Sequence, residues 1–87
     1  MFNINIYGWK TDNNASEQLA KIDDELDELK IAISNKDKDN IAEEIFDVIE
    51  STFNMFKIIG DIDIVKENRK HLHKLISRDI KRNEYNV

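Results

Sequence analysis

The chain contains no cysteine and no proline, and only two glycines, Gly8 and Gly60, among its 87 residues. Without cysteine it forms neither a disulfide scaffold nor a thiolate metal site, so any bound metal must rest on oxygen ligands or on His71 and His73. Without proline, and with so little glycine, few positions are available to break a helix. Long apolar runs are missing too: no segment approaches the roughly 20 apolar residues of a membrane span, and residues 1–10 lack an apolar stretch behind a basic one. These absences predict a soluble, cytoplasmic protein with no membrane partner. A chain this short reads as one domain, residues 1–87, and buries too little apolar surface to be comfortably stable alone, so oligomerisation is expected.

Charge is present in quantity and unevenly placed. The net value is −5. Residues 17–50 carry 12 acidic and 4 basic side chains, a local −8, whereas residues 66–82 carry 7 basic and 2 acidic, a local +5. The middle attracts cations and the end attracts anions, an arrangement that suits a metal–phosphate complex as well as two solvated faces. The overall sign argues against a nucleic-acid polymer as partner.

Hydrophobic periodicity predicts three helices. Phe2, Ile4 and Ile6 alternate with Asn3 and Asn5 as in a short extended arm, and residues 8–14 read as a loop. A first helix is predicted over 14–35, started by an Asn14/Glu17 capping box. Its stripe, Leu19, Ile22, Leu26, Leu29 and Ile33, has the 3-and-4 spacing of one buried face. A second helix over 38–59 repeats the spacing with Ile41, Ile45, Val48, Thr52, Phe56 and Ile59, and stops at Gly60. The short polar turn between them implies an antiparallel hairpin. A third helix over 61–83 is expected to bury Val65, Leu72, Ile76 and Ile80. Phe46, Phe53 and Met55 fall off the second stripe, a surplus suited to a subunit interface. The expected fold is therefore all-α: a hairpin and a third long helix, completed to a bundle by oligomerisation.

Two pairs of acids lie on that hairpin. Glu25 and Glu28 are three residues apart, as are Glu44 and Asp47, which places each pair on neighbouring positions of a helix surface. Both pairs have the same phase relative to the apolar stripe of their helix, so packing the two stripes together brings both acidic edges to one side of the seam. Four carboxylates in one cleft repel unless a cation sits among them, and hard oxygen ligands suit Mg²⁺ or Mn²⁺. Such a cation, with open positions for water and phosphate, suggests phosphate-anhydride chemistry. Acid pairs at this spacing also occur as ordinary solvated surface.

Asp24-Glu25-Leu26-Asp27-Glu28, followed after fifteen residues by Glu44-Ile45-Phe46-Asp47, resembles the MazG signature, EExxE then ExxD, with Asp24 in place of the first Glu. The flanking LAKIDDELDEL and IAEEIFDVI segments are similar to that family's as well. The resemblance implies Mg²⁺-dependent hydrolysis of a nucleoside triphosphate between the α and β phosphates, releasing the monophosphate and pyrophosphate. It implies Glu25, Glu28, Glu44 and Asp47 as metal ligands and catalytic groups, with Glu28 helping to deprotonate the attacking water. It also implies a homodimer or homotetramer in which helices of two subunits complete the bundle and the nucleotide pocket.

On the third helix Lys70, Lys74 and Arg78 recur every four residues. Asn68-x-Lys70-x-x-x-Lys74 is similar to the Asn-x-Lys-x-x-x-Arg pattern found after the second MazG motif, and Lys74 with Arg78 repeats the spacing one turn on. Asn68, Lys70, Lys74 and Arg78 are thus candidate phosphate-binding residues, with a solvated basic face as the alternative. Trp9 is a candidate for stacking on the base or a plug for the core. His71 and His73, two apart on a helix, diverge too far to share a metal. A second reading of the whole chain is a non-catalytic helical interaction module, which needs no metal.

Overall fold

The computed structural model describes residues 11–85, with side-chain burial as far as Lys81. The predicted arm, and Trp9 with it, lies outside the described residues. Three helices make up the fold, α1 (Ala15–Ser34), α2 (Lys38–Ile59) and α3 (Ile64–Tyr85), and no strand occurs among the described residues. The chain is all-α, as its periodicity predicts.

Local side-chain chemistry sets the helix limits. Asn14 accepts a hydrogen bond from the Glu17 backbone N–H at 2.8 Å while the Glu17 carboxylate accepts from the Asn14 N–H at 3.0 Å, closing the capping box. At the far end of α1 the chain turns through Lys36 at φ 57, with the Asp37 N–H returning to the Ala32 carbonyl at 3.4 Å. Asp37 then caps α2 by accepting from the Asn40 N–H at 3.2 Å. Gly60 at φ 73 and Asp61 at φ 53 end α2 in two successive left-handed residues. Asp63 caps α3 by accepting from the Lys66 N–H at 3.1 Å, so α3 starts at Ile64, just after Asp63, the later of the two expected starting points, Asp61 and Asp63.

Among the described residues the packed helix pair is α1 against α2. The contact surface differs from the one expected. On α1 the residues withdrawn from solvent are Ala15, Gln18, Ile22, Glu25, Leu29 and Ala32, a clean 3-and-4 row; Leu19, Leu26 and Ile33 remain exposed. On α2 the facing row is Asn40, Glu44, Asp47, Ser51, Asn54 and Ile58, and Ile45, Thr52 and Ile59 are exposed. At 100° per residue, the apolar stripe sits about 60° off the seam on α1 and about 110° off it on α2. Of the two stripes, Ile22 and Leu29 on α1 and Ile41, Val48 and Phe56 on α2 are half-buried. Glu25, Glu44 and Asp47 therefore occupy the middle of the seam, with Glu28 at its edge. Because the helices are antiparallel, the two offsets turn both stripes to the same side of the hairpin. There they form one apolar face, with Leu19 57% and Ile59 58% exposed.

The expectation for α3 is corrected more fully. Val65, Leu72, Ile76 and Ile80 are all exposed, because α3 leaves the left-handed Gly60–Asp61 link without packing against the hairpin. The Cα radius of gyration is 16.3 Å, against about 12 Å for a compact chain of this length. No helix among the described residues is long and apolar enough to cross a membrane.

Candidate metal centre

Glu25 and Glu28 reach the seam from α1 and Glu44 reaches it from α2. Each contributes a carboxylate oxygen to a group whose members all lie within 4.8 Å of one another. Glu25 and Glu44 are half-buried and Glu28 is exposed at the rim. Oε2 of Glu25 and Oε2 of Glu44 are shut off from solvent and accept no hydrogen bond. Asp47, one turn beyond Glu44, is half-buried on the same row, and its charge acts on both buried glutamates. Its oxygens nevertheless stand outside the close group of three. Of the four acids predicted to converge, three do so within ligand distance and the fourth sits beside them.

The cluster is electrostatically strained. Glu25 is pushed above the ordinary glutamate range first by desolvation and then by the charge of Glu28 and that of Asp47. Hydrogen bonding to Glu28 adds to this, and Lys21 opposes it. Glu44 is raised by desolvation, by the charge of Glu28 and hydrogen bonding to it, then by Asp47 and Glu25. Burial and like charge both favour the protonated form. Two unsatisfied, half-buried carboxylate oxygens beside a third carboxylate fit a hard divalent cation, which would replace the missing partners and offset the repulsion.

A pH dependence follows. In metal-free protein the native state keeps protons on Glu25 and Glu44 that the unfolded chain releases, over the interval between the ordinary and the raised values. Stability is lost as pH rises through that interval. The melting temperature measured in chelator should be lower at about pH 7 than at about pH 5, and Glu25→Gln should shrink the difference. A wild-type melting temperature that climbs between these values, with the same slope in Glu25→Gln, would show that the cluster carries no charge strain.

The other predicted site residues are not gathered in. Asn68, Lys70, Lys74 and Arg78 lie exposed on α3, which has no packed interface with the hairpin. Lys70 is occupied with its own helix, its Nζ 3.3 Å from Glu67 Oε2. Position in a single chain thus gives this row no contact with the carboxylates.

The seam also holds residues that periodicity alone passes over. Gln18, Ser51 and Asn54 are buried to 2% exposure or less. Gln18 Nε2 donates to the Ser51 carbonyl at 2.7 Å, and its Oε1 accepts from Asn13 Nδ2 at 3.1 Å and Thr11 Oγ1 at 3.3 Å. The available signal is spacing: Gln18 precedes Glu25 by seven residues and Asn54 follows Asp47 by seven, which keeps them on the acid rows.

The chain is an all-α hairpin with three carboxylates gathered across its seam. The chain belongs to the phosphoribosyl-ATP pyrophosphohydrolase family, whose model matches residues 6–60, a span that includes α1, the turn and α2. That family is related to MazG, and the match is to it and not to MazG specifically. No curated protein and no solved structure matches the chain. The matched span stops at Gly60, so α3 lies beyond it.

Proposed function

We propose that the chain is a divalent-metal-dependent pyrophosphohydrolase of nucleoside or deoxynucleoside triphosphates, cutting between the α and β phosphates to release monophosphate and pyrophosphate. The observation that carries this is the close group of Glu25, Glu28 and Glu44, with two buried oxygens unsatisfied, in a family of nucleotide pyrophosphohydrolases. Those three glutamates would hold Mg²⁺ or Mn²⁺, with Asp47 completing the negative field. When bound, the cation supplies Lewis-acid polarisation of the phosphoryl oxygens and a more acidic water.

The protein's own contributions follow from position. Glu25 and Glu44, fixed on facing helices, set the site's depth and exclude bulk water from one side. Glu28, at the exposed rim, is the carboxylate open to an incoming water and takes its proton as the anhydride P–O bond breaks. Lys70, Lys74 and Arg78, with Asn68, would meet the phosphates in a homodimer or homotetramer that packs α3 against a hairpin. The uncovered apolar face supports such an assembly.

Release of pyrophosphate from a panel of ribo- and deoxynucleoside triphosphates, assayed with Mg²⁺ or Mn²⁺ and with chelator, tests the proposal. Pyrophosphate and monophosphate in equal amounts, lost in chelator, are the expected products. Phosphoribosyl-ATP belongs in the panel because the family match favours it as a second reading. If it alone is cleaved, the triphosphate assignment fails. Orthophosphate as first product would overturn the α–β cleavage, and no metal-dependent turnover on any substrate would favour the interaction module.

A further inference from the structure

Three rungs of the hairpin share one register. On the first, Gln18 of α1 meets Ser51 of α2, its Nε2 donating to the Ser51 carbonyl at 2.7 Å. Seven residues on from Gln18 stands Glu25, and seven back from Ser51 stands Glu44. Seven more on each side reach Ala32 and Asp37, where the Asp37 N–H donates to the Ala32 carbonyl at 3.4 Å. The carboxylate rung therefore lies midway between two hydrogen-bonded ties, each two turns or about 10 Å away along the helix axis. One tie is the turn of the chain itself, and the other is a side chain.

Burial and full hydrogen bonding make the side-chain tie firm. Gln18 is fully buried, and its Oε1 accepts from Asn13 Nδ2 at 3.1 Å and Thr11 Oγ1 at 3.3 Å while its Nε2 is held by α2. It thereby joins residues 11–13, α1 and α2 in one network, and a fully satisfied buried network fixes a single arrangement of the elements it joins. The seam has little else to do so. Ala32, beside the turn, is the only fully buried apolar residue among the described ones, and Ile22 and Leu29 are half-buried, so few interlocked side chains oppose sliding or splaying. At the middle rung three carboxylates repel one another and press the helices apart. A slip of one helical turn would move Glu44 by about 5.4 Å, more than the 4.8 Å that bounds the group.

We propose that Gln18 is a positioning residue for the carboxylate group: by tying α1 to the Ser51 carbonyl it holds Glu44 opposite Glu25 and Glu28 against their repulsion, so that a divalent cation meets a site already formed. Its value to the chain rests on the reading of those glutamates as the metal centre of a pyrophosphohydrolase. Gln18 touches neither cation nor substrate and acts through the glutamates. The effect appears as affinity, because an observed Kd is the intrinsic one divided by the fraction of chains whose acids are already gathered.

The test compares the full chain with Gln18→Met, which keeps the volume and removes the amide. In a Mn²⁺ titration of the folded proteins the variant's Kd should weaken by about tenfold, on the order of one buried hydrogen bond. Its melting temperature in chelator should hold or rise, because apolar volume replaces a buried amide and the acids are free to part. A hydrogen bond that only stabilised the fold would lower the melting temperature and leave the native protein's Mn²⁺ affinity unchanged, and unchanged affinity in folded Gln18→Met overturns the proposal. A second readout needs no metal. The chain has no cysteine of its own, so spin labels can be placed on cysteines introduced at Asp24 and Glu43, exposed residues beside Glu25 and Glu44, with labelled chain diluted into unlabelled. In chelator the Gln18 background should give one narrow interhelical distance and Gln18→Met a longer or broader one; a distance as broad with Gln18 as without it also overturns the role. If Gln18→Met does not fold, Thr11→Ala with Asn13→Ala removes the outer anchor of the amide and should shift both readouts in the same direction, and no shift in either counts against the proposal. Mn²⁺ bound by wild type, with affinity and distance unmoved in the variant, sinks the role of Gln18 alone. A wild type that binds no Mn²⁺, with the distance broadened in Gln18→Met, sinks the metal centre and still supports Gln18 as the residue that gathers the acids.

Discussion

Glu44→Gln should move the melting temperature in opposite directions with and without metal. In chelator it should rise, because a neutral isostere replaces a half-buried acid that desolvation, Glu28, Asp47 and Glu25 all hold in strain. With Mg²⁺ or Mn²⁺ present, the wild type should gain the linkage stabilisation that any native-state ligand gives. At free metal about a hundredfold above its Kd this is about 2.7 kcal/mol, and for a domain of this size it raises the melting temperature by roughly 10–20 °C. The variant should lose most of that gain, since one of the three close oxygen donors is gone, and its turnover should fall by about a hundredfold or more. Glu25→Gln should behave alike. Asp47→Asn is the discriminating case: standing outside the close group, it should weaken the metal response less than Glu44→Gln does. An Asp47→Asn protein as metal-blind as Glu44→Gln would put Asp47 in the ligand set. A wild type whose melting curve ignores both cations would end the enzyme reading. A melting temperature that falls in chelator on Glu44→Gln would make the cluster a structural hydrogen-bond network instead.

The parts of this fold legible in the amino-acid sequence are the ones that local chemistry decides. Asn14 with Glu17, Asp37 and Gly60 each act within one turn of helix, so α1 and α2 begin and end within a residue of their expected limits. The grouping of Glu25 with Glu28, and of Glu44 near Asp47, is likewise a matter of spacing on one helix. The phase of the seam was not legible. Apolar periodicity reports every surface a helix will bury, including surface that a second subunit covers, and Leu19, Leu26 and Ile45 count there as heavily as Ile22 or Leu29. The seam itself is polar, with Ala32 the only fully buried apolar residue among the described ones. Gln18 is buried because it meets a carbonyl 33 residues away, a contact no local pattern announces. The same limit applies to α3: Lys70, Lys74 and Arg78 form a row in the sequence and a row in the structure, but among the described residues that row packs against no other element.

Self-association should give the second large effect. The wild-type chain should sediment as a dimer or tetramer at micromolar concentration, and Leu72→Glu combined with Ile76→Glu on α3 should leave a monomer. The argument is one of unmatched surfaces. The hairpin presents an apolar face bordered by Leu19, Leu26, Ile33, Ile45 and Ile59, while α3 presents Val65, Leu72, Ile76 and Ile80, and neither is covered within the chain. The two elements are also opposite in charge, −8 over residues 17–50 and +5 over residues 66–82, so α3 of one copy is complementary to the hairpin of another. Burying a leucine or isoleucine side chain is worth about 1.5–3 kcal/mol. A symmetric dimer loses each contact twice, so one substitution alone should weaken association by about a hundredfold to ten-thousandfold. Secondary structure gives an independent readout. A 22-residue helix without tertiary contacts is marginal in water, so the monomeric variant should lose up to about a third of its helical circular dichroism, the share held by α3. Its Mn²⁺ site, built within one hairpin, should survive, while its KM for the nucleotide should rise, because a second copy no longer closes the nucleotide site. A wild type that stays monomeric at tens of micromolar, or a monomeric variant with unchanged KM and helicity, would place α3 outside the working site altogether.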